Sequence, residues 1–236
     1  MMTEDRPKKE HIKKFSFQSR KTDQEKIEIL IPELLQSGYS FYTWPSATLL
    51  ASFLWEKRQS LADKHILEIG SGTALPGILA AKLNAHVILS DCAKLPKTLN
   101  HIKHCCHLNN LTVGTDINVI GLTWGLLLDN IFRIGPLDLI IGSDCFYDPS
   151  VFEDILVTIS FLLERNPNCK FIFSYQERSA DWCLENLLRK WGLKCAKINT
   201  DHLGENTIVE TFGSGSAVVG VSASNPSLHL FEITIK

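Results

Sequence analysis

The stretch Ile66-Leu67-Glu68-Ile69-Gly70-Ser71-Gly72-Thr73-Ala74-Leu75-Pro76-Gly77 constrains this chain more than any other. An apolar run breaks at two glycines set one residue apart, then resumes as a second apolar run from Ile78 to Leu83. The pattern predicts strand, tight turn, helix. Pro76 suits the first turn of a helix, where its missing N–H is not needed. Gly70 and Gly72 let the backbone turn sharply and approach a ligand closely. The free N–H groups at the helix start then face that ligand.

A dinucleotide fingerprint asks for a third glycine three residues after Gly72. Leu75 stands there instead. Glu68 lies outside that fingerprint as well, and a carboxylate beside the turn repels a pyrophosphate. It suits a ligand bearing an ammonium or a sulfonium. S-adenosylmethionine carries both and has no phosphate. A second apolar run, Val87-Ile88-Leu89-Ser90, ends in Asp91. Asp91 follows Gly72 by about 20 residues, the spacing of a ribose-binding acid in a Rossmann-type unit. A strand parallel to the first returns its end to the same sheet edge, where an acid can accept from two ribose hydroxyls. The competing use of such an aspartate is a helix N-cap.

The 236 residues suffice for one α/β domain with a tail. A net charge of -2 implies no bulk attraction to nucleic acid or anionic membrane, and no sequence-specific nucleic-acid binding is expected. No apolar run reaches membrane-spanning length, and the charged start is not a signal peptide. Seven scattered cysteines without a C-x-x-C pair suit free thiols in a reducing compartment.

Residues 1–24 read as a disordered basic tail, and 25–236 as a single domain. Within it, 25–60 reads as a hairpin, made of the alternating Lys26 to Leu35 and the aromatic Tyr39 to Thr43, followed by a helix opened by Trp44-Pro45. Strands are expected at His65 to Ile69, His86 to Ser90, Ile117 to Leu122, Leu137 to Ser143 and Asn168 to Tyr175. Helices are expected at Pro76 to Leu83, Leu95 to Asn109, Val151 to Leu163 and Ser179 to Lys190. Leu193 to Ile198 and Leu228 to Ile235 read as a final pair of strands. Residues 204–227 form a flexible Gly/Ser-rich connection with a short hairpin in it. In the helix after Asp91, His101, His104 and His107 spread over the face opposite the apolar stripe, so a solvated face rather than a metal site is expected.

The ends of the parallel strands gather the remaining candidates. Trp124 follows the third strand, where its indole can stack on an adenine. Ser143 and Asp144 end the fourth strand, with Tyr147 and Asp148 just beyond. Asp148 also suits the cap of a helix beginning at Pro149. Ligands bind at this edge of open α/β sheets.

The strand and helix order, Glu68-x-Gly70-x-Gly72 and Asp91 together resemble the seven-β-strand S-adenosylmethionine-dependent methyltransferases. Trp44-Pro45-Ser46-Ala47, Leu122-Thr123-Trp124-Gly125 and Asp144-Cys145-Phe146-Tyr147 sharpen this to the family-16 methyltransferase-like group. The resemblance covers Trp44 to Leu193. It implies a doubly wound, mostly parallel, seven-stranded Rossmann-like sheet with an antiparallel terminal strand. It implies a cofactor site formed by Trp44, Glu68, Gly70, Ser71, Gly72, Asp91, Trp124 and Ser143, with Asp144 and Tyr147 at the mouth where the substrate nitrogen enters. It also implies a protein substrate, a histone or other basic segment, with arginine of histone H3 as acceptor, and residence in nucleus and cytoplasm. Lysine is the alternative acceptor; a small-molecule substrate or a non-catalytic binding role comes after it.

Methyl transfer from a sulfonium is an in-line displacement, in which positioning supplies much of the rate and no metal is required. A lysine must first lose a proton, its reference pKa being about 10.4. A mouth lined by Phe146 and Tyr147 would favour the neutral amine. An arginine is planar and stays charged, so it asks for carboxylates that hold its fork. Asp144, Asp148 and Glu177 are the candidates, provided they face one pocket.

Overall fold

A computed structural model of the chain describes residues 10–19, 25–34, 38–179, 183–201, 203, 208–212, 219–220 and 227–236. The strands are β1 (His11–Gln18), β2 (Lys26–Glu33), β3 (His65–Ile69), β4 (His86–Asp91), β5 (Ile117–Gly121), β6 (Leu139–Ser143), β7 (Lys170–Gln176), β8 (Leu193–Ile198), β9 (Ile208–Phe212), β10 (Val219–Gly220) and β11 (Leu228–Ile235). The helices are α1 (Pro45–Glu56), α2 (Leu75–Lys82), α3 (Pro96–Leu108), α4 (Asp129–Phe132), α5 (Phe152–Arg165) and α6 (Glu185–Lys190).

The main sheet has the order β5-β4-β3-β6-β7-β11-β8. Five strands run parallel, and β11 runs antiparallel between β7 and β8. The expected seven-stranded, mostly parallel sheet with an antiparallel terminal strand is thus present. Its parallel strands are apolar runs because helices cover both faces. One core lies beneath α1, α2 and α3, the other beneath α5. The chain winds outward from β3 to β4 and β5, then crosses back to β6 and β7. The strand order reverses between β3 and β6, so the crevice opens at their C-terminal ends. No helix among the described residues is long and apolar enough to cross a membrane.

The amino-terminal region departs from the sequence expectation. His11–Gln18, read as part of a disordered tail, is a strand, whereas residues 1–9 and 20–24 lie outside the described residues. β1 pairs antiparallel with β2, and its other edge takes β9. Lys26–Glu33 does form a hairpin, but with β1 before it. Tyr39–Phe41 is instead a 3-10 turn. The reason is visible on one face of β1: Lys13, Phe15 and Phe17 are buried over Ile29, Ile31 and Glu33. A lysine on that face hides the period-2 pattern. β9 and β10 form the short hairpin expected within 204–227, and they complete a second, four-stranded sheet ordered β10-β9-β1-β2. The rest of that connection lies outside the described residues, as do residues 180–182 ahead of α6.

The histidines of α3 also need a correction. His101 is buried and packs on the Phe41 ring, with centroids 4.9 Å apart. β2 and the Tyr39–Phe41 turn cover that side of α3, a cover the helix pattern alone does not announce. His104 pairs with Glu10 at 2.8 Å. Among the described residues no three His, Cys, Asp or Glu side chains gather as a metal site.

Because Phe17 is fully buried on β1, Phe17→Ala is expected to remove about 3–5 kcal/mol of stability in chemical denaturation. A disordered tail would give no change.

Candidate functional site

The site begins at the turn between β3 and α2. Gly70, Gly72 and Ala74 all take left-handed backbone, with φ of 59°, 53° and 59°. Bonds to the neighbouring strand hold that conformation. The Ser71 N–H donates to the Ser90 carbonyl at 2.9 Å, and the Ser90 N–H donates to Ser71 Oγ at 3.1 Å. The Ser90 hydroxyl donates to the Glu68 carbonyl at 2.8 Å. The Gly72 N–H donates to Asp91 Oδ2 at 3.0 Å, and the Cys92 N–H to Asp91 Oδ1 at 2.8 Å. Both Asp91 oxygens are therefore oriented by backbone. Burial pushes the Asp91 pKa up, and the two N–H groups oppose it.

The next strand end continues the arrangement. The Leu122 N–H donates to the Asp91 carbonyl at 2.8 Å, which extends the β4–β5 pairing to the turn at Trp124. Gly125, at φ 75°, donates its N–H to Thr158 Oγ1 of α5 at 2.9 Å. Trp124 then lies across Gly70: a Cβ on Gly70 would sit 3.0 Å from Trp124 Cζ2. The bare position and the indole are parts of one wall. Gly70, Ser71, Gly72, Asp91 and Trp124 are brought together as expected from sequence.

Glu68 is placed differently. It is 0 % exposed and lies beneath the start of α2 rather than on the open rim. A Cβ on Gly77 would come 2.6 Å from Glu68 Oε2 and 2.3 Å from Leu89 Cδ2. Gly77 thus gives the close helix–strand approach that Leu75 cannot, two residues later than the dinucleotide pattern places it. Among the described residues, neither Glu68 carboxyl oxygen has a partner at full hydrogen-bond geometry. Burial pushes its pKa up to about 8, and the nearby Ser71 hydroxyl and Gly77 N–H counter this only in part.

The opposite lip follows β6 and β7. Ser143 ends β6, in register with Ser174 of β7. The Ser174 hydroxyl donates to the Ser46 carbonyl at 2.7 Å, which anchors the start of α1 and half-buried Trp44 over this end of the sheet. Asp144 is buried in left-handed backbone, φ 55°, a conformation aspartate tolerates. Its carboxylate is held by Arg178, with Nη1 to Oδ1 at 2.8 Å and Nη2 to Oδ2 at 2.5 Å. The Asp144 carboxylate holds the guanidinium pKa above its usual value. The guanidinium carbon lies 5.7 Å from the centre of the Trp44 ring. Sequence reasoning missed this pairing, since the partners are 34 residues apart.

Two expectations about the mouth do not hold. Phe146 is buried against Phe152 and Phe173 and does not line it, whereas Tyr147 is 51 % exposed. Burial, then the neighbouring Cys145 and Asp91, push the Tyr147 pKa up. Nor do Asp144, Asp148 and Glu177 converge. Asp148 caps the turn Pro149–Val151 by accepting the Ser150 N–H at 2.9 Å, and Glu177 meets His229 at 3.3 Å. Each acid already has its own local partner.

These groups fit a nucleoside. Asp91 can take ribose hydroxyls, Trp124 can cover a base, and Gly70 and Gly72 present bare backbone between them. A pyrophosphate fits poorly, because the Asp91 carboxylate already takes the Gly72 N–H and faces the turn. S-adenosylmethionine fits, since it carries no phosphate and asks only for the acid, the bare turn and the indole.

The pKa of Glu68 has a consequence for stability. Between about 4.5 and about 8 the folded chain keeps a proton that the unfolded chain loses, so stability falls as pH rises through that window. Thermal unfolding of the ligand-free Glu68→Gln variant is expected to show a flatter pH slope there, its advantage over the parent chain growing toward pH 8. A gap independent of pH would exclude Glu68 as the proton carrier.

Residues 22–190 match the family model described as "Lysine methyltransferase". Histone-arginine methyltransferase METTL23 of Xenopus laevis is 51% identical over 176 residues, 75% of this chain and 74% of that protein. The Homo sapiens protein of the same name is 50% identical over 157 residues, 66% of this chain and 81% of that protein. Among solved structures, the METTL16 methyltransferase domain superposes with a TM-score of 0.56 at 12% identity, over 88% of this chain and 73% of that one, a likeness of fold. The match over most of the sequence decides the family: the chain belongs to the family-16 methyltransferases.

Proposed function

We propose that the chain transfers a methyl group from S-adenosylmethionine to a side-chain nitrogen of a protein, with an arginine of a histone, H3 first, as acceptor. The cofactor, when bound, supplies a methyl group on a sulfonium. Asp91 and the backbone at Gly70 to Gly72 hold the nucleoside, and Trp124 shields the base. The acceptor nitrogen forms the new N–C bond as the S–C bond breaks, and its proton leaves to water.

The Asp144 fork carries the arginine reading. Asp144 already holds a guanidinium bidentately, beside the Trp44 ring. A carboxylate fork next to an aromatic face is the chemistry that recognises a planar guanidinium. An incoming arginine exchanges with Arg178, which leaves the number of ion pairs unchanged. The relatives at about half identity, named histone-arginine methyltransferases, support the same acceptor. A histone acceptor goes with residence in the nucleus as well as the cytoplasm.

Lysine is the second reading, favoured by the family description and by Tyr147, whose ring at the mouth can desolvate a neutral amine. Incubation with methyl-labelled S-adenosylmethionine and histone H3, followed by mass spectrometry, separates the two. Label is expected on arginine. Asp144→Asn is expected to lower kcat/KM for an arginine peptide by about 100-fold, with affinity for S-adenosylhomocysteine kept within a few-fold. Label confined to lysine would overturn the arginine reading.

A further inference from the structure

Lys13 and Glu33 form an ion pair inside the small sheet, Nζ to Oε1 at 3.2 Å, with side chains 8% and 1% exposed. Lys13 stands opposite Ile31 in the β1–β2 register, so Glu33 is its diagonal neighbour on the inward face. Replacing such a pair with well-packed apolar groups is often neutral or stabilising. Stability alone is therefore a weak reason for it, and its connections suggest another.

Those connections lead to the cofactor turn. Glu33 Oε1 also accepts the Thr43 N–H at 2.8 Å. The Thr43 hydroxyl meets the Thr73 hydroxyl at 3.1 Å, both residues being buried. Thr73 lies between Gly72 and Ala74, inside the left-handed turn. On a parallel route, Lys13 Nζ lies 4.8 Å from the centre of the Tyr42 ring, and Tyr42 packs edge-on against Trp44 at 5.2 Å. A third contact is independent of these: a Cβ on Gly72 would lie 3.4 Å from the Ser40 carbonyl oxygen. The segment 40–44 thus presses on the glycine turn from one side while its own position is fixed from the other by Glu33. Lys13 precedes the residues 22–190 that the family model matches, so family membership gives it no role.

We propose that Lys13 and Glu33 are positioning residues of the cofactor site: the buried pair fixes Thr43, and through it both Trp44 and the turn at Thr73, so that strand β1 sets the affinity for cofactor. The proposal rests on the assignment of the turn to S-adenosylmethionine. Lys13 balances the charge of Glu33, whose Oε1 takes both the ammonium and the Thr43 N–H. Without Lys13 the buried carboxylate loses its counter-charge and moves toward water, and the bond to Thr43 weakens. The turn then samples geometries other than the one that binds.

The test is calorimetric titration with S-adenosylhomocysteine, beside steady-state kinetics. Lys13→Met is expected to raise Kd for S-adenosylhomocysteine and KM for S-adenosylmethionine at least 10-fold, while kcat at saturating cofactor stays within 3-fold. Lys13→Arg is expected to recover most of the affinity. Thr73→Val, which removes only the hydroxyl link, is expected to shift Kd in the same direction and to add little to Lys13→Met, since both break one path. Phe17→Ala, on the same strand face but outside this path, is expected to lose stability and keep its Kd. A Lys13→Met protein that binds within 2-fold of the parent would overturn the proposal. So would a Phe17→Ala protein weakened as much as Lys13→Met, because the effect would then be general loosening. Should Lys13→Met fail to fold, Thr73→Val decides alone, an unchanged Kd counting against the proposal. A parent chain that binds neither nucleoside would instead overturn the cofactor assignment itself.

Discussion

The hydrogen bonds between the end of β3 and the end of β4 are what the rest of the site depends on. Parallel neighbours finish side by side, and here their ends are joined by backbone and serine bonds through Ser71 and Ser90 and by the Asp91 carboxylate on the Gly72 N–H. Left-handed backbone at three alternate positions is not a conformation a loop keeps unaided, least of all at Ala74. The bonds over-determine it. They also aim Asp91, since the groups that hold the turn are those that orient the acid. Trp124 belongs to the same unit through the Leu122 bond to the Asp91 carbonyl, and its ring fills the space Gly70 leaves free.

Charge on the two lips is handled in opposite ways. On the Asp144 lip a buried carboxylate is neutralised by a full guanidinium in bidentate contact. Under α2, burial of Glu68 outweighs the nearby Ser71 hydroxyl and Gly77 N–H, so a proton neutralises it over much of the ordinary pH range. The first arrangement stiffens the segment after β7. The second leaves a group whose charge a bound cation can restore, because a positive neighbour lowers the pKa of an acid.

The parallel part of this fold was legible in the sequence because covered strands are short apolar runs, and because acids and glycines at their ends stand out against them. The spacing from Gly72 to Asp91 carried real geometric content, as any parallel strand returns to the same edge. What escaped depends on partners far along the chain. β1 was hidden because Lys13 occupies an inward position, and only a buried acid from β2 makes that tolerable. His101 was read as solvated because its cover comes from β2 and the Tyr39–Phe41 turn. Phe146 and Tyr147 are adjacent in the chain, yet one enters the core and the other the solvent. Glu68 was expected beside the ligand because β-strand alternation, which turns it away from Leu67 and Ile69, was not applied to it.

The order in which the small sheet can be assembled differs from the order of the chain. β1 has β2 as one neighbour and β9 as the other. β2 is made almost at once, whereas β9 follows only after all of β3 to β8. A growing chain on the ribosome therefore carries the β1–β2 hairpin with one edge unsatisfied while the whole stretch from β3 to β8 is made. Such an edge is a template for pairing with other chains, and its closure is a contact of very high sequence separation, the kind that slows folding. Lys14, on the outward face of that strand and paired with Glu28 at 2.7 Å, puts charge beside the open edge, a common natural guard against adventitious strand addition during that interval.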